Sequence, residues 1–282
     1  MDKDALIKTR IQQAAALVSQ ADAIVIAAGA GIGVDSGMPD FRSENGFWKT
    51  YPALAQGRMS FQDIAAPQNF DAKPALAWGF YGHRLNMYRK LQPHTGFDIL
   101  KKWCDAATHG GFVHTSNVDG HFQKAGFSES QVFECHGSIH RLQCQRPCKD
   151  ELWSAEDLKP EVDMQQCLLL NGLPQCPNCG GIARPNILMF NDWSWNGSHS
   201  RAQRKNLLDW IVKVQAPLVI EVGAGTAVPA VRSFSKRMVE AGSQLIRINL
   251  NEPNMESGDS IEIVWPARRA LEAIDAVMLR GS

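Results

Sequence analysis

Ala27-Ala28-Gly29-Ala30-Gly31-Ile32-Gly33-Val34-Asp35-Ser36-Gly37-Met38-Pro39-Asp40-Phe41-Arg42-Ser43 is the stretch from which the rest of the chain can be read. The apolar run before it, Ala23-Ile24-Val25-Ile26, has the unbroken hydrophobicity of a strand buried on both faces. Gly29, Gly31 and Gly33 then let the backbone turn sharply and approach a ligand closely, as phosphate-binding turns between strand and helix do. A plain glycine-rich turn accounts for the spacing equally well. The dinucleotide fingerprint G-x-G-x-x-G is not met. Val34 stands where its third glycine belongs, and no acidic residue closes a second strand about 20 residues later. The polar and aromatic group Pro39-Asp40-Phe41-Arg42 beside the turn points to a ligand held otherwise than the nicotinamide of a dehydrogenase.

The chain of 282 residues is long enough for one large domain, or one with a smaller module. Its 29 Lys and Arg balance 29 Asp and Glu, so no net charge draws it to nucleic acid or to an anionic membrane. No apolar run approaches the ~18–20 residues of a membrane span. Met1-Asp2-Lys3-Asp4 lacks the basic-then-apolar order of a secretory signal. Seven cysteines, an odd number, argue against a disulfide framework; they fit a reducing cytoplasm and direct attention to metal binding.

Working outward, Ile7, Ile11, Ala14 and Val18 recur at helical spacing and predict a helix over about 4–20. Residues 44–72 read as irregular, with a helical piece near Ser60–Ala65, and are long for a loop in a compact domain. Pro74 opens a helix whose Trp78, Tyr81, Leu85 and Tyr88 fall on one face and read as packing. Strands are expected at Gly111–Thr115, Gln131–Cys135, Ile187–Phe190, Leu218–Val222, Leu245–Asn249 and Ile261–Val264. Helices are expected between them, around Phe97–Trp103, Arg201–Val214, Val231–Met238 and Ala267–Met278. Such alternation implies a largely parallel sheet covered on both faces, an α/β fold. Ligands of such sheets bind beyond the carboxyl ends of the strands. Polar clusters stand at these ends: Gly29–Arg42, Asn117–Asp119, His136 and Gly223–Thr226.

Between Leu142 and Arg184 the helical periodicity fades, and Cys, Pro and Gly become frequent. Cys144-x3-Cys148 and Cys176-x2-Cys179 have the spacing of two zinc knuckles. Four thiolates form a closed tetrahedral site, which suits structural rather than catalytic zinc. Such a site contributes ~10–16 kcal/mol of apparent binding free energy, enough to fold a module with few apolar residues. Cys167 reads as a spare thiol, and Cys104 and Cys135 as core. Among eight histidines, His136 stands out because Cys135-His136-Gly137 follows a strand that ends near the other clusters. Its unperturbed pKa of ~6.5 suits a general base. His114, His121 and His140 have no comparable setting. No G-x-S-x-G elbow or P-loop occurs.

Gly29-Ala30-Gly31-Ile32-Gly33 with Ser36-Gly37-Met38-Pro39-Asp40-Phe41-Arg42 resembles the first motif of the sirtuins, NAD-dependent protein deacylases of a divergent, bacterial type here. Thr115-Ser116-Asn117-Val118-Asp119 resembles their second motif, His136-Gly137 their catalytic one, and the four cysteines their zinc module. Arg184-Pro185-Asn186 through Phe190 resembles the strand beside the acyl-lysine groove, and Arg247-Ile248-Asn249 the late strand whose asparagine meets the adenosine ribose. The resemblance runs through nearly the whole chain. It implies a Rossmann-like domain formed by 1–48, 96–137 and 185–282. A smaller domain would combine a helical module at 49–95 with the zinc module at 138–184.

The implied reaction consumes NAD and releases nicotinamide, with acyl transfer to ADP-ribose. By the same resemblance, Ala28, Gly29, Ala30 and Gly31 hold the pyrophosphate, and Asp40, Phe41 and Arg42 form a lid over the nicotinamide ribose. Asp119 holds the carboxamide, Asn117 and Ser116 order the ribose side, and Gly223, Gly225, Thr226 and Asn249 complete the NAD site. His136 accepts a proton from a ribose hydroxyl after the acyl-lysine oxygen has displaced nicotinamide. Zinc at Cys144, Cys148, Cys176 and Cys179 is structural, the partner is an acylated protein or peptide, and no specific nucleic acid or membrane is expected. The chain departs from the family pattern at Gly33 (usually Ser or Thr), at Ser116 (usually Gln) and at Phe190-Asn191-Asp192 (usually Phe-Gly-Glu). The Gly223–Ala227 turn is shorter than the usual one. Trp193 and Trp195 after it read as loop aromatics packed on the core, with an acyl-tunnel lining as the alternative. An ADP-ribosyltransferase or NAD hydrolase on the same scaffold is the competing reading. A non-catalytic NAD-binding module is the third.

Overall fold

A computed structural model describes residues 3–39, 44–251 and 260–281. The expected lid residues Asp40, Phe41 and Arg42 lie outside these. In chain order the strands are β1 (Ile24–Ala28), β2 (Gly111–Thr115), β3 (Val132–Glu134), β4 (Gly137–Cys144), β5 (Trp153–Ser154), β6 (Val162–Asp163), β7 (Leu168–Leu169), β8 (Ala183–Ile187), β9 (Leu218–Val222), β10 (Leu245–Ile248) and β11 (Ser260–Ile263). Six of them form a sheet in the order β11-β10-β9-β1-β2-β3, with every neighbouring pair parallel. This is a Rossmann-like sheet. The chain adds β2 and β3 on one side of β1, then crosses to add β9, β10 and β11 on the other, so the strand order reverses between β1 and β9.

Alternation along each strand separates two apolar layers. Ile24, Ile26 and Ala28 face the helices Lys3–Gln20, Thr95–Ala106 and Ala267–Gly281 through Ile11, Val18, Phe97, Leu100, Leu271 and Ile274. Val25 and Ala27 face Ser198–Val214 and Ala230–Glu240 through Leu207, Val231, Phe234 and Met238. All five residues of β1 are buried, as the unbroken apolar run required.

A second core lies outside this sheet. The stretch read as irregular folds into four short helices, Glu44–Thr50, Pro52–Gln56, Phe61–Ile64 and Gln68–Ala72. They are too short to show helical periodicity, and local devices start them. Ser60 and Asp63 form a reciprocal capping box for one of them. These helices and Pro74–Lys90 pack Phe47, Tyr51, Phe70, Trp78, Phe80, Tyr81 and Leu85 against Ile139, Leu142, Leu169, Ile187 and Met189. Helical and cysteine-bearing segments therefore share one hydrophobic interior. Trp78 Nε1 donates to Ala183 O at 2.9 Å, and Asn86 Nδ2 to Pro160 O at 2.8 Å.

Here the strand expected at Ile187–Phe190 needs correction. It runs from Ala183 to Ile187 and pairs antiparallel with β4 in a three-stranded sheet, β5-β4-β8. Residues 188–197 then form a loop tied to that sheet by buried polar groups. Arg184 and Asp192, neither side chain exposed, make a bidentate pair at 2.8 and 2.9 Å. Asp192 also accepts the Ser194 N–H at 3.1 Å. Gln143 donates to Ser194 O and accepts from the Asn196 N–H and Asn186 Nδ2 at 2.9–3.0 Å. Asn191 has φ 54°, a left-handed conformation that asparagine tolerates better than most residues, so the turn forms there without a glycine. No described helix is long and apolar enough to cross a membrane.

Removing one member of a buried ion pair strands the other. Asp192→Asn should lower the unfolding free energy by about 3–5 kcal/mol in denaturant titration, whereas replacing both Arg184 and Asp192 with apolar residues of similar volume should recover most of it.

Candidate active site and zinc centre

Register brings the candidate residues to one edge. Ala28 of β1 lies opposite Thr115 of β2 and Val222 of β9, Thr115 opposite Glu134 of β3, and Val222 opposite Ile248 of β10. Five strands therefore end level. The next residues on each are Gly29, Ser116–Asp119, Cys135-His136, Gly223 and Asn249.

At the point where strand order reverses, the two glycine-rich turns touch backbone to backbone. The Gly29 N–H donates to Val222 O at 2.9 Å and the Gly31 N–H to Gly223 O at 3.0 Å. A Cβ on Gly29 would lie 2.6 Å from Gly223 O, and one on Gly31 would lie 2.7 Å from Gly223 Cα. Gly223 itself has φ 63°. The first demand on these glycines is thus close approach between loops, and two of their amides are spent on it. Gly33 follows the same logic toward a side chain, because a Cβ there would lie 2.5 Å from Met38 Sδ. The thioether occupies space that a larger residue at 33 would need. Residues 30–36 form a single 3-10 turn-helix, held from outside by His94. Gly96 N–H donates to His94 Nδ1 at 3.0 Å, which leaves the ring proton on Nε2, 2.9 Å from Ile32 O.

After β2, Thr115 Oγ1 donates to Ala28 O at 2.9 Å and accepts the Asn117 N–H at 3.0 Å. Asn117 Nδ2 reaches Gly29 O at 3.3 Å. Its Oδ1 is buried and has no hydrogen-bond partner in the protein. Leaving a buried amide oxygen unsatisfied costs about 1–3 kcal/mol, so this atom faces a place that a ligand donor or a water would fill. Asp119 is buried; its Oδ1 accepts the His121 N–H at 2.9 Å, and its carbonyl meets His140 Nε2 at 2.9 Å.

His136 follows β3. The Cys135 N–H donates to Thr115 O and the Leu188 N–H to His136 O, both at 2.9 Å. Burial pulls the His136 pKa below its ordinary 6.5, and a hydrogen bond to the Ser116 backbone pushes it partly back. The ring is therefore neutral at pH 7. Gly137 has φ 77°, and a Cβ there would fall on Asn186 O, so only glycine lets β4 begin at this place beside the histidine. On β10, Arg247 pairs with Glu221 at 2.6 and 3.0 Å inside the sheet, and Asn249 Nδ2 donates to Ala224 O at 2.7 Å. Gly225 is half-buried and Thr226 exposed at the rim.

The four cysteines converge as their spacing predicted. All four Sγ atoms lie within 4.8 Å of one another, with Cys144–Cys179 at 3.7 Å and Cys148–Cys176 at 3.6 Å. Tetrahedral Zn–S bonds of ~2.3 Å imply sulfur separations of about 3.8 Å, so this thiolate set fits zinc and is far too open for disulfides. The second knuckle turns through Gly180 at φ 70°, with the Gly180 N–H on Cys176 O and the Cys176 N–H on Gly181 O. Among the described residues no histidine or carboxylate joins the four sulfurs, and four thiolates fill a tetrahedral zinc, which fits a structural centre. Cys104 and Cys167 are buried elsewhere, and Cys135 is half-buried.

Residues 29–222, more than half of the chain, match the model of the Sir2 family. The chain belongs to the Sir2 family. The NAD-dependent protein deacylase of Aquifex aeolicus is 29% identical to it over 229 residues, covering 81% of this chain and 84% of that one. A Sir2 homologue solved as an NAD complex superposes with TM-score 0.74 at 21% identity, covering 100% of this chain and 96% of that one. A Sir2 protein solved with a deacetylated p53 peptide and 3′-O-acetyl ADP-ribose gives TM-score 0.70 at 20% identity, covering 94% and 97%. These two share the fold.

Within this Sir2 chain the motifs passed over several supporting residues. Lys124 Nζ donates to the carbonyls of Tyr88, Arg89 and Leu91 at 2.8–2.9 Å, capping the helix Pro74–Lys90 from the segment that follows Asp119. His140, set aside for lack of a setting, holds the Asp119 carbonyl. Glu134 is buried at the end of β3, and burial pushes its carboxyl up to about 8, with the Glu129 charge adding. None of these has a local pattern in the sequence. Trp193 also departs from expectation. It is 97% exposed rather than packed on the core, while Trp195 lies against Gly137.

Two outcomes follow from this site. Chelation should release about one zinc per chain and unfold the second core, seen as loss of near-ultraviolet circular dichroism, with recovery on adding zinc back. Glu134 has an ordinary pKa of 4.5 and a folded value of about 8. Its contribution to stability is complete below 4.5 and is lost as pH rises toward 8. Glu134→Gln should flatten the fall in melting temperature across that window.

Proposed function

We propose that this Sir2 chain is an NAD-dependent protein-lysine deacylase that consumes NAD and yields nicotinamide, O-acyl-ADP-ribose and the free lysine. The observation that carries the reading is the level ending of five strands. It sets the Gly29–Gly31 turn, Asn117, Asp119 and His136 around one edge, with the Asn117 Oδ1 left for a ligand donor. The curated relative named above as an NAD-dependent protein deacylase agrees with it, as do the NAD and the deacetylated peptide in the two solved Sir2 relatives.

In this reading the turn Ala28–Gly31 with Gly223, Gly225 and Thr226 receives the pyrophosphate, and Asn249 the adenosine ribose. Asp119 orients the nicotinamide carboxamide, and Ser116 and Asn117 the adjoining ribose. Asp40, Phe41 and Arg42 close over it. His136, neutral because it is buried, takes the proton of a ribose hydroxyl at its unprotonated ring nitrogen. The acyl-lysine enters between the sheet of 1–48, 96–137 and 185–282 and the lobe of 49–95 and 138–184. The separate apolar interiors support two lobes, with the second also drawing on Phe47, Val118, Ile187 and Met189. Zinc holds the second lobe together and takes no part in the chemistry. A reducing, cytoplasmic setting completes the reading, in keeping with four cysteines set to hold zinc and three outside any disulfide.

The test is nicotinamide release with and without an acetyl-lysine peptide. Release should require the peptide, and His136→Ala should cost about 10²–10⁴ in kcat while zinc content and melting temperature hold. Release indifferent to peptide would favour NAD hydrolysis or ADP-ribosyl transfer instead. Because burial lowers the His136 pKa, the acid limb of the kcat/KM profile should lie below pH 6.5.

A further inference from the structure

His94, outside the sheet edge, closes two hydrogen bonds with one ring. It precedes the helix Thr95–Ala106 in extended backbone, φ −74° and ψ 165°, and its Nδ1 accepts the Gly96 N–H at 3.0 Å. This is the bond of a helix cap, which satisfies an amide that the helix itself leaves open. Asn, Asp, Ser and Thr usually make it, with shorter side chains. The imidazole brings a second nitrogen to the same place. With Nδ1 accepting, the ring proton stands on Nε2, and Nε2 donates to Ile32 O at 2.9 Å. Burial pulls the His94 pKa below 6.5, with the Ile32 carbonyl and the Asp35 charge opposing, so the ring is neutral at pH 7 and keeps both roles.

Packing fixes the attitude of this ring. His94 is buried, and the Phe97 ring meets it edge-on with centroids 5.0 Å apart. A Cβ on Gly96 would lie 2.5 Å from His94 Cε1 and 2.8 Å from Leu271 Cδ1, so the glycine leaves the space that the imidazole fills. The backbone adds a further tie, the His94 N–H donating to Ser36 Oγ at 3.0 Å. The turn 30–36 is thus fastened along its length. Gly31 is bonded to Gly223 O, Ile32 and Ser36 to His94, and Asp35 Oδ2 accepts the Arg268 N–H at 2.8 Å where the helix Ala267–Gly281 starts. Asp35 and Ser36 hold the far end of the turn. The Ile32 bond acts one residue beyond Gly31, so a shift of the imidazole is passed directly to the glycine-rich backbone before it.

We propose that His94 is a positioning residue for the nucleotide, its Nε2–H fixing the Ile32 carbonyl so that the turn Ala28–Gly31 keeps the shape that receives a pyrophosphate. The proposal rests on the deacylase reading for its nucleotide, but binding can be measured without turnover.

Two conservative variants separate the two bonds, because an asparagine amide falls near the Nδ1 of an imidazole and a glutamine amide near its Nε2. His94→Asn keeps the cap on Gly96 and loses the bond to Ile32. His94→Gln keeps the bond to Ile32 and loses the cap. Each gives up one buried hydrogen bond, so both should melt a few degrees below the wild type. The probe is ADP-ribose, which carries the pyrophosphate and is not consumed, and the readout is calorimetric titration. His94→Asn should bind it about tenfold more weakly, and His94→Gln as the wild type does. With saturating acetyl-lysine peptide, His94→Asn should raise KM for NAD about tenfold and leave kcat unchanged, because the bond to the turn is the same in ground and transition states. His94→Gln should keep both constants. Equal affinity in all three proteins, weakening in both variants alike as lost stability alone would give, or a fall in kcat with KM unchanged each overturns the proposal. Weaker ADP-ribose binding by His94→Asn alone, in a protein that releases no nicotinamide with peptide, would instead remove the deacylase reading and leave the role of His94 standing.

Discussion

Everything at the candidate site depends on two backbones touching. The turn after β1 and the turn after β9 meet with no side chain between them, joined by Gly29 N–H to Val222 O and Gly31 N–H to Gly223 O. In a doubly wound sheet the crevice opens where strand order reverses, and here that place is β1 and β9. Any Cβ on Gly29, Gly31 or Gly223 would push the turns apart and spoil the level edge on which Asn117, His136 and Asn249 are arranged. Part of what looks like a ligand-binding glycine signature is therefore a packing requirement of the sheet itself.

The second constraint is how the smaller lobe is fastened to that edge. His136 and Gly137 are the last residue of one system and the first of the other: β3 belongs to the parallel sheet, and β4 to the antiparallel one. The positive φ of Gly137 and its contact with Asn186 O make the change of direction possible within one residue. Across the lobes, one ammonium, Lys124, holds three carbonyls at the end of the helix Pro74–Lys90. Placed five residues after Asp119, it links the attitude of the helical module to the segment proposed to hold nicotinamide. Zinc, the aromatic interior and this cap act on the same body, because the helical and cysteine segments share one core.

Departures from the family pattern acquire physical reasons. Met38 Sδ stands where a side chain at Gly33 would go, so the glycine and the methionine are a matched pair. Asn191 adopts the left-handed conformation that a glycine would supply, and Asp192 spends its charge on Arg184 beneath the loop rather than on a ligand. These replacements keep the loop folded on the sheet beneath it while leaving Trp193 exposed on its outside.

The local chemistry of the chain was legible without a structure. An unbroken apolar run means a strand buried on both faces, alternation of such runs with helical periods means a parallel sheet, and C-x3-C with C-x2-C means one tetrahedral thiolate centre. Each of these is a short-range rule, and each held but for one strand, because covalent spacing decides which groups can share a face or an ion. Long-range facts were out of reach. The strand at Ala183–Ile187 was placed three to four residues too late and in the wrong sheet, since its partner, β4, is named by no local pattern. Four helices of four to seven residues were read as irregular, being too short for a period. Lys124, His140, Glu134 and the exposure of Trp193 depend on which surfaces meet. The sequence by itself determined the sheet, the metal ligands and the set of residues worth watching. Only the tertiary structure decided that five strands end level and that an indole stays outside, because register and burial are properties of contacts between segments far apart in the chain.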